Sequence, residues 1–461
     1  MAKINLDKFK IRKGEVYEAP LEQAFVRLIS PFDEFIQRQS TSGLLLMICA
    51  VIALVIANSP LLDAYEHLLH IPVTLGVGDA KITLSLHHFI NDGLMAIFFF
   101  LVGLELKREF RVGELSHFRQ ACLPVLSAIG GMLVPALIYY AINGSVEPAS
   151  RGWGIPMATD IAFAVGCIAL LGARVPHGAV TFLVALAIVD DLGAIMVIAI
   201  WYTESVNLVA LAAAGIVFAM LFLLNFAGVH KPLGYIILGV LLWICFLKSG
   251  VHATLAGVVT AMAIPAKPKY DPVAFSSFVK EMMRGFDSSY RPGDEIIRND
   301  AMRMRVTALA DGADRAQAPL QRMEHRLHLP VAFLIIPIFA LANAGIPFSH
   351  FQSAEAVANP VTIGVAMGLV FGKLIGIAGM AWLGVSLRIG ELPTGVTFRH
   401  IIGIALLGGI GFTMSIFIAE LGFYHHRDLL IQAKAGVLVG SLVAGIAGYL
   451  VLRSTPLPPA D

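Results

Sequence analysis

Two adjacent aspartates, Asp190 and Asp191, interrupt an apolar run that extends from Ala185 to Ile200. No arginine, lysine or histidine within that run offsets their charge. A carboxylate in hydrocarbon is expensive, and two side by side are more so because like charges repel at that range. Such a pair persists where something useful binds it, and a proton or a small cation is the simplest occupant. Three more ionisable side chains stand in apolar surroundings: Asp92, Asp160 and Lys373. A lone lysine in that setting must lose its proton or find a carboxylate. The simplest account pairs Lys373 with one aspartate and leaves the other free to exchange a proton for a cation. Sodium prefers hard oxygen ligands, which carboxylates, the Thr159 hydroxyl and unwound backbone carbonyls could supply. Proton and cation competing for one carboxylate gives exchange at a single site, because loading one ejects the other.

Each position has a plainer alternative. Asp190 and Asp191 could form a structural polar knot, Asp160 could cap a broken helix, and Lys373 could reach an interface along its own stem. Asp92 lies near the end of its apolar run and reads as structural. His252, after Lys248-Ser-Gly-Val, reads as a satisfied polar histidine. Glu105 and Glu109 share one helix face four residues apart, with Lys107 and Arg108 on other faces. They read as a solvated helix end or as an acidic mouth that attracts cations. Glu324 and His325 fall on the same side of the membrane in the topology below and could join them in sensing pH.

Hydrophobic residues make up 57% of the 461 and charged residues only 14%. Ordinary soluble domains carry roughly 25% charged residues, so the chain reads as an integral membrane protein. Its formal net charge of +1 points to no acidic partner and no nucleic acid. The four cysteines (Cys49, Cys122, Cys167, Cys245) lie in apolar segments without ligand spacing and read as small hydrophobes. Runs long enough to cross a bilayer of about 30 Å fall near 43–59, 87–108, 121–143, 153–172, 178–202, 207–228, 232–248, 251–265, 330–347, 360–386, 400–420 and 430–453. That pattern predicts an all-α polytopic fold of about twelve helices, several short or glycine-rich. With the N-terminus in the cytoplasm, Lys107, Arg108, Arg111, Arg119, Arg174, Lys231, Arg388, Arg399 and Arg453 fall inside. Residues 1–42 then form a cytoplasmic arm with an amphipathic helix, too polar for a cleaved signal peptide. The first span would act as its own insertion signal, and 454–461 would form a cytoplasmic tail.

Two connections stand out. Residues 71–86 alternate as a strand pair around Gly78-Asp79, an extramembrane hairpin suited to partner contact. Residues 266–329 are polar and rich in arginine and acids, a cytoplasmic insertion with helical pieces and a mobile centre. Gly154-Ile-Pro-Met-Ala-Thr159-Asp160 and Gly409-Ile-Gly-Phe-Thr413 place helix-weakening residues at matching points of two spans. Under the topology above, spans three to five and ten to twelve would be inverted repeats. Interrupted helices at corresponding points of such repeats mark a transporter site at mid-membrane.

The motif Ile90-Asn-Asp92-Gly-Leu-Met-Ala-Ile-Phe-Phe-Phe-Leu-Val-Gly-Leu-Glu105-Leu-Lys-Arg-Glu109 resembles the second helix of bacterial NhaA-type sodium/proton antiporters. So do Met157-Ala-Thr-Asp160-Ile-Ala-Phe-Ala, Ala185-Leu-Ala-Ile-Val-Asp190-Asp191-Leu-Gly-Ala-Ile and Lys248-Ser-Gly-Val-His252-Ala-Thr-Leu-Ala-Gly. Phe339-Ala-Leu-Ala-Asn-Ala-Gly and Gly408-Gly-Ile-Gly-Phe-Thr-Met-Ser-Ile-Phe-Ile extend the resemblance from about residue 30 to 453. The resemblance implies export of sodium and lithium against entering protons, more protons than sodium per cycle, and activation at alkaline cytoplasmic pH. It implies Asp191 as the principal sodium ligand, Thr159 as an extra ligand, and Asp190 paired with Lys373 or carrying a proton. Asp160 and Lys373 would balance the dipole ends of two crossed, discontinuous helices. Glu105, Glu109, His252 and Glu324 match positions tied to pH response, and the 71–86 hairpin matches a homodimer contact in a bacterial inner membrane. No cofactor is implied, since Na+, Li+ and H+ are cargo. Two departures are Leu374, where the family often has proline, and the long insertion before Glu324.

Other classes fit less well. A symporter or uniporter of organic solutes would need aromatic or arginine groups clustered at the site. An intramembrane aspartyl protease would need its aspartates on separate helices, and no Gly-x-Gly-Asp stands in any span. A passive channel would be obstructed by an Asp–Lys constellation.

Overall fold

A computed structural model describes residues 39–77, 80–113, 116, 118–202, 206–291, 295–351 and 359–455. The arm over 1–38, the hairpin tip Gly78-Asp79 and the tail beyond residue 455 lie outside the described residues. Helices dominate: α1 (Gln39–Ala57), α2 (Leu62–His70), α3 (Leu86–Val112), α4 (Phe118–Asn143), α5 (Ile161–Leu171), α6 (His177–Trp201), α7 (Leu208–Phe226) and α8 (Pro232–Ser249) form the first part. After them come α9 (Leu255–Ala263), α10 (Pro272–Ser289), α11 (Asp300–Ala316), α12 (Pro319–Asn343), α13 (Pro360–Ser386), α14 (Phe398–Leu407), α15 (Phe412–Gly422) and α16 (Arg427–Arg453).

Among the described residues nine helices are long and apolar enough to cross a membrane, or up to eleven if each bent pair counts as one span. The bent pairs are α1 with α2, at 112°, and α14 with α15, at 45°. The sequence suggested about twelve. The missing case is 251–265, where only Leu255–Ala263 is helical. Nine residues reach about 14 Å, half a bilayer core. The insertion is shorter than its polar composition suggests, because α12 begins at Pro319 and runs unbroken into the apolar span. Its remainder is the antiparallel pair α10 and α11, packed on each other.

Strands β1 (Pro72–Val77) and β2 (Ala80–Ser85) pair antiparallel, with Val73 opposite Leu84 and Leu75 opposite Ile82. This is the register that the alternation requires. The hairpin marks one face of the molecule. The opposite end of α3 carries Lys107, Arg108 and Arg111 and marks the basic face.

Burial separates inner from peripheral helices. Within the apolar window of 149–169, 67% of residues are buried, against 17% for α7 and for α8, whose outer sides present Ile216, Leu223, Phe226, Leu233 and Ile237. One group of helices packs around α4: residues 149–157, α6 and α13, with α14, α15 and α16 behind. The other joins α3 to α9 and α12, flanked by α7 and α8. Contacts between α1 and α5, α3 and α6, and α12 and α15 hold the groups together.

The α4–α13 seam depends on missing side chains. A Cβ on Gly130 would lie 2.3 Å from the Gly376 carbonyl oxygen, and one on Gly376 would lie 2.2 Å from that of Gly130. Small residues facing each other let two membrane helices approach this closely. Helix α13 widens into π turns over Gly368–Gly372 and Leu374–Ala378, with Lys373 between them. Such bulges recur at functional sites because they re-aim side chains.

Candidate functional site

Two helix breaks meet at the centre. The 3-10 turns of Ala149–Met157 stop at extended Ala158, and α5 starts only after Asp160, itself extended. The second break is Gly408-Gly-Ile-Gly411 between α14 and α15, a stretch with little helix propensity. A Cβ at Gly409 would fall 2.3 Å from the Leu369 carbonyl oxygen, so the break presses directly on α13. Ser441 of α16 accepts from the backbone N–H groups of Gly411 and Phe412, at 3.2 and 3.1 Å, and so caps α15.

The breaks are joined by hydrogen bonds. The Asp160 N–H donates to the Ile410 carbonyl at 2.7 Å. The Asp160 carboxyl accepts from Phe163 N–H at 3.0 Å, capping α5. Its other oxygen accepts from Thr413 N–H at 3.1 Å and from the Thr413 hydroxyl at 2.6 Å, at the start of α15. One carboxylate thus serves the positive ends of two helices.

Asp190, Asp191 and Lys373 are each 1% exposed or less. Lys373 Nζ donates to Asp190 Oδ2, forming the ion pair expected from the sequence. Thr159 Oγ1 lies 2.7 Å from that oxygen and 2.7 Å from the Gly408 carbonyl. A hydroxyl has one proton, so it donates to one acceptor at a time. Asp160 is held by Thr413 and Phe163, while Lys373 turns to Asp190, so the two groups linked by resemblance hold different partners.

Asp191 has a different setting. Its Oδ1 is buried without a hydrogen-bond partner among the described residues. The residue lines a cavity of about 360 Å³ together with Asp160, Thr413, Glu105, Glu324 and His328. An unpartnered buried acceptor is costly unless something visits it. Among the described residues no group of three or more His, Cys, Asp or Glu side chains could hold a metal ion. A cation here would complete its shell with hydroxyl, carbonyl and water oxygens.

Three of the four residues that the resemblance ties to pH response, Glu105, Glu109 and Glu324, gather at the basic end of this cavity. Glu105, Arg108 and Glu324 line it. Arg108 joins Glu324 at 2.7 Å and Glu109 at 2.9 Å. Lys107 is pinned elsewhere, donating to the Met262 and Ile264 carbonyls at the end of α9. His252 stands apart, 2.7 Å from the Tyr202 carbonyl.

Sequence reasoning passed over a polar layer towards the hairpin face. Glu420 and Lys434, both buried, pair at 2.5 Å. The Asn91 and Asn343 amides bond each other reciprocally, and His87 joins Asn343 at 3.0 Å. Charges near span ends read as solvated, which hid Glu420 and Lys434. Asp92 is structural, bound by His88 at 3.0 Å.

This arrangement of buried carboxylates, a buried lysine and broken helices coincides with what the chain's relatives are named for. The family model described as "Na+/H+ antiporter 1" matches residues 33–452. A protein of Saccharophagus degradans named Na(+)/H(+) antiporter NhaA 1 is 51% identical over 94% of this chain and 93% of its own length. Na(+)/H(+) antiporter NhaA of Sulfurimonas denitrificans is 50% identical over 94% of this chain and 98% of its own. That of Syntrophobacter fumaroxidans is 47% identical over 97% and 96%. The chain is a multi-pass membrane transporter, not an enzyme, and belongs to the Na+/H+ antiporter 1 family.

Proposed function

We propose that this protein exports sodium, and lithium, from a bacterial cytoplasm in exchange for protons entering through the inner membrane. The observation that carries this reading is the contrast between neighbours. Both aspartates keep an unpartnered Oδ1 among the described residues, but Asp190 is paired through Oδ2 with Lys373, whereas Asp191 lines the cavity that reaches Glu105 and Glu324 at the basic face. Asp191 is the principal sodium ligand, with Asp190, Thr159 and break carbonyls completing the shell. A proton and a sodium ion cannot share that carboxylate, so binding is competitive and coupling follows. Asp160 and Lys373 set the electrostatics around two crossed, inverted-repeat helix breaks. Release of a proton from the Asp190–Lys373 pair adds to that from Asp191, so more than one proton enters per sodium and the cycle is electrogenic.

In this reading the basic face is cytoplasmic, by the positive-inside rule, and both termini lie there. Glu105, Glu109 and Glu324 around Arg108 form the entrance and tie activity to alkaline cytoplasmic pH, which suits a role in pH and sodium homeostasis. His252 contributes from outside that cluster. The hairpin of β1 and β2 is the homodimer contact.

The test is sodium-driven proton movement in everted vesicles, comparing wild type with Asp191→Asn and Asp190→Asn at neutral and alkaline pH. Wild type should dissipate an imposed pH gradient on adding sodium, and Asp191→Asn should not. Full activity of Asp191→Asn with unchanged sodium affinity would make the pair structural and sink the proposal.

A further inference from the structure

The cavity beside Asp191 is closed towards the hairpin face, and the closure is layered. Along α12 its lining runs from Glu324 to Ile336 and stops short of Phe339. Along α15 it ends at Met414, short of Phe417. Phe99, Phe339 and Phe417, each 1% exposed or less, fill the next layer, with ring centroids 5.4 and 6.1 Å apart about Phe417. One turn further on α12 and α15, and about two to three turns before Phe99 on α3, the packing becomes polar. Asn343 follows Phe339 on α12, Glu420 follows Phe417 on α15, and Asn91 and His87 precede Phe99 on α3.

The partners in that polar layer divide cleanly. His87, Asn91 and Asn343 bind one another within the α3–α12 group. Glu420 binds Lys434 within the α15–α16 group. His87 Nε2 and Glu420 Oε1, 3.7 Å apart, face each other across the divide and form an ion pair when His87 is protonated. His87 is about a quarter exposed, so this contact lies where water begins. On the rim, Arg427 of α16 reaches Glu66 of α2 at 2.5 Å, but both are exposed and their pairing is screened.

We propose that His87 and Glu420 form an outer latch that must part each time the site opens to the hairpin side. This rests on the exchange reading above, which requires that Asp191 reach both faces in turn. The chemistry suits a contact that breaks repeatedly. Lys434 stays with Glu420 on the same side of the divide, so parting leaves no uncompensated buried charge, the outcome that makes ordinary buried pairs hard to break. Asn343 likewise keeps His87 hydrogen-bonded after separation. The tyrosine hydroxyl of Tyr65 donates to the Leu341 carbonyl at 2.7 Å and ties α2 to the α12 side of the divide.

The test joins the two halves of the latch. His87→Cys and Glu420→Cys are combined after the four native cysteines are replaced by serine, and the protein is reconstituted in liposomes. A short bis-methanethiosulfonate should cross-link the pair and reduce sodium–proton exchange by about tenfold or more, as for any step that can no longer occur. A reducing agent should restore the rate that the double variant shows before the reagent, and the reagent should leave each single-cysteine variant at its own starting rate. A folded, cross-linked protein that still exchanges, or a folded one that never cross-links, overturns the proposal. A second measurement covers poor folding of the double variant. Ala340→Cys, beside Phe339 and buried, should react with an external impermeant maleimide about fivefold faster when His87→Asn is added, the shift that loss of one modest polar contact gives a two-state equilibrium. An unchanged rate overturns the latch. Labelling does not depend on sodium coupling, so failure of exchange in wild type would sink the antiport reading while this measurement still judges the latch.

Discussion

Lys373→Met isolates what the buried ion pair contributes, because it removes the only positive partner hydrogen-bonded to Asp190 among the described residues while keeping side-chain length. Asp190 would be left 1% exposed with only the shared Thr159 hydroxyl to stabilise its charge. The cheapest response is for the carboxyl to hold a proton in the fold. Neutralising an aspartate of ordinary acidity at pH 7 costs about 4 kcal/mol, which agrees with the roughly 3–5 kcal/mol for breaking a buried pair. The sign with pH follows. The folded variant holds a proton that its unfolded chain releases above about pH 4, so the penalty grows by about 1.4 kcal/mol per pH unit as pH rises. Melting of the purified protein in detergent and choline buffer, from about pH 5 to pH 8, should show Lys373→Met falling progressively below wild type. Asp190→Asn/Lys373→Met, with no charge to compensate, should recover most of the loss and show no such slope. A Lys373→Met protein whose melting tracks wild type across that range, or falls instead towards low pH, would refute the idea that Asp190 depends on Lys373.

Other expectations are independent of that pair. Gly130→Ala should lower the melting temperature and transport together, since its Cβ meets the Gly376 carbonyl at 2.3 Å and overpacking costs about 1–3 kcal/mol. Gly379→Ala on α13, with nothing within 4 Å of its Cβ, should be neutral or slightly stabilising in the same melting assay. Thr413→Val should cost about 1.5–3 kcal/mol by removing a hydroxyl bonded to Asp160, and Thr413→Ser should retain most of the stability. Arg108→Gln should lower the melting temperature modestly, since Arg108 is half-exposed but the buried Glu324 loses its ion-pair partner. Sodium uptake measured at low salt should nevertheless show a lower apparent KM, because the mouth becomes more negative, and the effect should fade at high ionic strength.

The sequence made the site legible wherever charge stood against hydrocarbon. Asp160, Asp190, Asp191 and Lys373 are conspicuous in runs that otherwise exclude ionisable groups, and all four prove buried. The Lys373–Asp190 pairing is one of two that the sequence allows, and only the packed structure shows which aspartate the lysine faces. The hairpin register followed from strict alternation. What stayed hidden depends on distance in space. Glu420 and Lys434 sit near span ends, where charge ordinarily meets water, and only the packing of α15 on α16 buries them. Residues 251–265 had a span's hydropathy, but hydropathy does not show that the helix starts only at Leu255.

The division of labour between two adjacent carboxylates is a consequence of helix geometry. Neighbours on a helix differ by about 100° in direction, so Asp190 and Asp191 cannot face the same surroundings. Asp190 points to α13 and the Thr159 break, where Lys373 and a hydroxyl occupy one oxygen. Asp191 lines the cavity, where nothing among the described residues hydrogen-bonds its Oδ1. One fixed pair and one open acceptor give a site whose charge changes with what enters the cavity. Moving Lys373 by a single residue along α13 would turn it away from Asp190 and leave two uncompensated carboxylates. The glycines that let α4 approach α13 therefore act on the chemistry, since the seam they form sets where Lys373 can reach.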